Sequence, residues 1–218
     1  MSTGKCLVLY LCLLLPTVAL GERKSCTLLW NKKPAYEITQ EQVLNAFHQS
    51  FYDPSIYKPL YCDLNILRFF YTLKENYENI KSSDFNIYFF TTKYWVKYRD
   101  QEIKFLVSNQ RQDPKNLKNP RGWNFHVVLE HKGLIYDFDF TNNPRPIGIN
   151  EYLKSFLVGQ KVLTVSDGMY VGDHNKILVY KVPGKFFFEK NNHHVGTEQF
   201  HSLTFESFKP KTLKDFGL

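Results

Sequence analysis

WNFHVVLEHKGLIYDFDF, Trp123 to Phe140, is the clearest hairpin in the chain. Trp123 to His131 reads as one strand, Lys132-Gly133 as a tight turn, and Leu134 to Phe140 as the return strand. Leu134, Tyr136, Phe138 and Phe140 face one way; Ile135, Asp137 and Asp139 face the other. A two-residue loop pairs His131 with Leu134. Glu130 then opposes Ile135, Val128 opposes Asp137, and His126 opposes Asp139. His126 therefore shares a face with both aspartates, directly across from one and diagonal to the other. A carboxylate so placed fixes an imidazole tautomer and stabilises the imidazolium. The same pattern also fits a surface histidine beside acids, or a buried structural pair.

Two helices are expected before the hairpin. Thr39 and Gln42 form a capping-box pair, with Ile38 and Val43 at staple positions, so a helix is predicted over 39–52. Val43, Leu44, Phe47 and Phe51 give it one apolar face. Ile66, Phe70, Leu73, Tyr77 and Ile80 recur at spacings of three and four, which predicts a longer helix over 62–80. Strands are expected at Asn86–Thr92 and Ile103–Ser108, followed by a polar, Pro-containing loop from Asn109 to Gly122. A short helix is expected over 150–157, with further strands at Ile177–Val182 and Phe186–Phe188. Together these predict an α+β fold, helices packed on an antiparallel sheet.

The chain has 218 residues, enough for one domain with its own core. With 43% hydrophobic and 22% charged residues it is not a disordered composition. Residues 1–21 read as a signal peptide: Lys5 is the positive end, Cys6 to Leu15 the apolar run, and Ala19-Leu20-Gly21 the cleavage site. The apolar stretch is shorter than the ~20 residues a spanning helix needs, so an uncleaved anchor is the weaker reading. The mature protein, 22–218, is expected to be a single catalytic domain, secreted or periplasmic, monomeric and not membrane-bound. Net charge is +7, and loss of Lys5 leaves +6. The basic residues are scattered and no stripe interleaves them with aromatics, so a solvated surface is expected and no nucleic-acid partner.

Cys6 and Cys12 leave with the signal, and Cys26 and Cys62 remain. Two cysteines in an oxidising compartment invite a disulfide, which would make the chain a secreted binding domain. The rival reading is chemical. Cys62 opens a helix, where the dipole and free N–H groups favour a thiolate, and a nearby His126 would lower its pKa further. Trp123 reads as a wall of the site or a core aromatic. Asn65, one turn after Cys62, reads as a polar neighbour of the site or an exposed helix residue. His174, His193, His194 and His201 lack a cysteine partner or a helical spacing, so no metal site is expected.

Three blocks then carry a resemblance. Tyr61-Cys62-Asp63-Leu64-Asn65-Ile66 resembles the Tyr-Cys-Glu-Glu-Asn-Ile/Val segment of the protein N-terminal glutamine amidohydrolases. Trp123 to Leu129 resembles their Trp-Asp-Tyr-His-Val-Val-Leu, and Ile135 to Asp139 their Ile-Tyr-Asp-Leu-Asp. The blocks stand in the family's order with similar gaps, from about Tyr61 to Pro146. The resemblance implies a papain and transglutaminase-like core, with Cys62 as nucleophile, His126 as base and acid, and Asp137 as orienter. In a flat ladder Asp139 lies nearer His126. Strand twist brings one diagonal partner closer; the resemblance selects Asp137 and leaves Asp139 in reserve. The implied reaction is deamidation of a glutamine side chain in a protein or peptide, without a cofactor. A secreted cysteine protease or transglutaminase-like enzyme is the enzymatic alternative, because these relatives act inside cells and a signal peptide departs from that setting.

Overall fold

Lys132 and Gly133 both adopt positive φ, 49° and 85°, the backbone of a two-residue type I′ turn. In the computed structural model this turn joins β4 (Phe125–His131) to β5 (Leu134–Tyr136). The structure describes residues 37–59, 61–92, 103–106, 111, 122–156, 163–165, 168–171, 176–191 and 207–218. All lie in one unit, Ala35–Leu218. The expected signal peptide, Cys26 and most of the 109–122 loop lie outside the described residues.

The hairpin register is the expected one near the turn: His131↔Leu134, Glu130↔Ile135 and Leu129↔Tyr136. It then stops, four residues before the expected end at Phe140. The oppositions Val128–Asp137 and His126–Asp139 do not form. The Asp139 N–H donates to Asp137 Oδ1 at 2.8 Å, a local Asp turn that competes with the ladder. Phe138 meanwhile enters an aromatic cluster, 4.9 Å from Phe47 and 5.5 Å from Phe69 between ring centroids. Burying one such ring contributes roughly 1.5–3 kcal/mol, comparable to the two bonds of each further hydrogen-bonded ladder pair, at about 1 kcal/mol each.

β1 (Asn86–Thr92) pairs antiparallel with β4 on one side and with β9 (Ile177–Pro183) on the other. Six of its seven residues are buried, which marks it as the centre of the sheet. β6 (Ile147–Gly148) extends the β5 edge, and β10 (Lys211–Thr212) extends the β9 edge. The result is a six-stranded antiparallel sheet in the order β10-β9-β1-β4-β5-β6. A second sheet joins β3 (Gly122–Trp123), β2 (Ile103–Leu106), β8 (Gly168–Val171) and β7 (Leu163–Val165) in that order. Its β2–β8 pair is parallel, so the antiparallel rule holds for the main sheet alone.

Helix α1 (Gln40–Phe51) begins as expected, with the Thr39–Gln42 capping box formed in both directions. Its buried residues Val43, Ala46, Phe47, Ser50 and Phe51 repeat at three and four, a single core-facing stripe. Helix α2 (Cys62–Asn76) packs on β4 and ends four residues before the expected Ile80. Tyr77 is extended, at φ −136° and ψ 120°, and Ile80 reaches the core from the connecting loop instead. α3 is Ile149–Phe156. The strand expected at Phe186–Phe188 is instead part of α4 (Gly184–Asn191). A short apolar run does not distinguish a strand from a buried helix. The decisive contact is Gly184, where a Cβ would meet Ser82 O at 2.5 Å and Phe85 O at 2.7 Å. The fold is thus α+β, helices against a mainly antiparallel sheet. Among the described residues no helix is long and apolar enough to cross a membrane.

Candidate active site

His126 and Asp137 meet because β5 ends early. Released after Tyr136, the chain turns, and Asp137 Oδ2 comes 2.9 Å from His126 Nε2. The carboxylate can only accept there, so Nε2 carries the proton and Nδ1 is left as the free ring nitrogen. Nδ1 is buried and has no partner among the described residues. Tyr152 of α3 donates its hydroxyl to the same Asp137 Oδ2, at 2.7 Å. With Asp139 N–H on Oδ1, three donors fix the carboxylate. The His126 ring centroid lies 4.6 Å from that of Trp123 and 4.9 Å from that of Phe156. Trp123 therefore both walls the histidine and belongs to the core.

Sequence reading missed Tyr152 and Phe156, although it expected their helix. One turn apart on α3, they reach the carboxylate and the imidazole respectively. Their spacing of four was the available signal, but it reads equally well as core packing.

Cys62 is the first residue of α2 and carries a free thiol, 3% exposed. The Val127 backbone N–H acts on its sulfur, favouring the thiolate. The ladder explains why that donor is available. His131 and Leu129 pair with β5, so Val127, two residues further on, faces the same edge and would pair with Phe138. With β5 ended, that edge position is left to the sulfur's side of the strand. Cys62 thus lies against the residue next to His126, and the Asp139 and Asp137 charges both act on it.

The expected lowering of the Cys62 pKa is corrected. Burial pushes the thiol well above its ordinary value, and the Asp63, Asp139 and Asp137 charges push it further; the Val127 N–H pulls the other way. A helix N-terminus offers an anion about 0.3–1 kcal/mol, or at best ~2. Burying a charged group costs several kcal/mol. Desolvation therefore outweighs the dipole.

Asp139 lies beside Asp137 but on different partners. Tyr57 donates its hydroxyl to Asp139 Oδ1 at 3.1 Å. Arg111 N–H donates to the Asp139 carbonyl, while its guanidinium donates to Phe51 O and lies 3.8 Å from the Tyr57 ring centroid. Asp139 Oδ2 is buried without a partner among the described residues. Burial, then the Asp137 charge, pushes the Asp139 carboxyl up to about 7, against the opposing pull of His126, Tyr57 and Arg111.

Asn65 is neither exposed nor bonded to these groups. It is fully buried and clamps Lys58 at both backbone atoms: Oδ1 accepts the Lys58 N–H at 2.8 Å, and Nδ2 donates to the Lys58 carbonyl at 2.9 Å. That holds the loop which carries Tyr57 to Asp139 and ends at Cys62.

His174, His193, His194 and His201 lie outside the described residues. Among those described, no group of three histidine, cysteine or acidic side chains is arranged to hold a metal ion. The chain matches neither a known family profile nor a curated protein.

Proposed function

We propose that the chain is an exported thiol amidohydrolase that converts a glutamine side chain of a protein or peptide to glutamate. The observation that carries this reading is the buried His126–Asp137 pair with its free Nδ1, beside a buried free thiol brought in by a separate helix. A helix-borne cysteine set against a strand-borne histidine and its aspartate resembles the papain and transglutaminase-like arrangement. The matching blocks around Cys62, His126 and Asp137 point to the glutamine amidohydrolases within it.

In this reading Asp137 orients His126, and Nδ1 faces the reaction. The raised thiol pKa means that Cys62 rests as the thiol, so its proton is taken during attack, with His126 as the general base. The Cys62 sulfur bonds to the carboxamide carbon as its proton passes to His126. His126 gives that proton to the departing nitrogen, and ammonia leaves a thioester. Water then adds to the thioester carbon, losing a proton to His126. The C–S bond breaks, the sulfur regains the proton, and glutamate is released. No cofactor enters these steps.

The test is incubation of the mature protein with a peptide beginning in glutamine, read by mass and ammonia release. A gain of about one dalton with ammonia, absent in Cys62→Ser, is the expected result. Backbone cleavage without that gain would favour the protease reading, and inactivity both on this peptide and on one with an internal glutamine would overturn the deamidase.

A further inference from the structure

A cleft of about 410 Å³ opens between the last turns of α2, the loop that follows it, and α4. Its volume falls in the range of small-molecule sites, far larger than one tetrahedral oxyanion. Three lysines from three separate segments line it: Lys74 of α2, Lys81 of the loop and Lys185 of α4. Among the described residues no carboxylate lies within ion-pair distance of any of them. Glu189, the one acid among the described wall residues, follows Lys185 by a single turn, and no ion pair joins the two. Asp84, nearby, is occupied by the Lys81 backbone N–H at 3.1 Å.

Like charges gathered in a concave wall raise the local concentration of counter-ions. Ser82 and Ser83 add hydroxyl donors beside the lysines. The remaining wall is apolar, with Ile80 and the pair Phe70–Phe188, whose rings stack at 3.7 Å. The walls are set by packing, because the start of α4 is pressed onto the 82–85 turn at Gly184, with a 2.9 Å bond from its N–H to Phe85 O. We propose that this cleft binds a small organic phosphate or sulfate ester. The oxyanion is held by Lys74, Lys81 and Lys185, and the organic body lies against Phe70, Ile80 and Phe188. The site lies eight to twelve residues along α2 from Cys62, roughly 12–18 Å at the helical rise. It does not depend on the activity proposed for Cys62.

The experiment is a titration of the isotope-labelled mature protein with phenyl phosphate, phenyl sulfate, inorganic phosphate and neutral phenol at fixed ionic strength, read by amide shifts. The expected result is saturable movement at Lys81, Ser82, Ser83 and Lys185 with either ester, and none with phenol. Lys81→Gln/Lys185→Gln should weaken binding at least tenfold, as loss of charge-assisted contacts does, with the thermal midpoint unchanged. Inorganic phosphate binding as tightly as the esters would support the anion site and overturn the role given to the organic body. Unsaturable shifts spread over all basic residues, or full affinity in the double variant, would overturn the site.

Discussion

Removing one buried acid should change how stability depends on pH. Asp139 is raised from 3.8 to about 7 in the folded protein. Between those values the native chain keeps a proton that the unfolded chain has released. Native protein then binds more protons than unfolded, so stability falls as pH rises from about 4 to about 7. A shift of roughly three units at 1.36 kcal/mol each comes to on the order of 4 kcal/mol across the window. Asparagine at 139 keeps the shape and an acceptor for Tyr57 but has no proton to lose. Asp139→Asn should therefore remove most of this slope and be the more stable protein at pH 8. Urea unfolding followed by tryptophan fluorescence at pH 4.5, 6 and 8 measures it, taking the difference between variant and wild type so that other carboxylates cancel. Parallel stability curves for the two proteins would refute the reasoning and place the Asp139 proton elsewhere.

Three further predictions concern the candidate site. Asp137→Asn should lower turnover by about 10⁴-fold, as loss of an orienting aspartate does in other triads, while Asp139→Asn retains most of it; the reverse order at equal stability would make Asp139 the orienter. Cys62 should react slowly with iodoacetamide at pH 7 in the folded protein and at the rate of an ordinary cysteine in urea, because burial holds it as the thiol; equal rates would show an accessible thiolate. Tyr152→Phe leaves His126 as the sole side-chain donor on Asp137 Oδ2, so the Nε2 proton resonance should move downfield and kcat fall about tenfold, the equivalent of one hydrogen bond; an unmoved resonance would make Tyr152 a packing residue only.

The helix starting at Gln40 was legible because its cap is local chemistry: Thr39 and Gln42 meet whatever the rest of the chain does. The turn was legible because Lys132-Gly133 between alternating runs admits few backbones. Chain order and the three sequence blocks supplied Cys62, His126 and Asp137. What the sequence did not contain was competition between distant groups. The flat register put His126 opposite Asp139. It could not foresee that Phe138 would prefer a cluster built from Phe47 and Phe69, and so end the strand. The thiol departs from the sequence expectation for a related reason. A helix N-terminus is visible in sequence, whereas the desolvation that outweighs it depends on what closes over Cys62. Phe186–Phe188 carries no periodicity of its own and was decided by the closeness that Gly184 permits.

The end of β5 at Tyr136 leaves β4 with an edge inside the molecule. An open backbone edge is a template for another strand, from this chain or a second one. At Val127 that template faces α2, whose first residue, Cys62, is buried against it. Helix docking and protection of the sheet are therefore the same event. A chain with α2 undocked would present a hydrophobic strand with its N–H unclaimed, and a substitution at Cys62 that loses the contact would reach beyond chemistry, into how readily the refolding protein associates with itself.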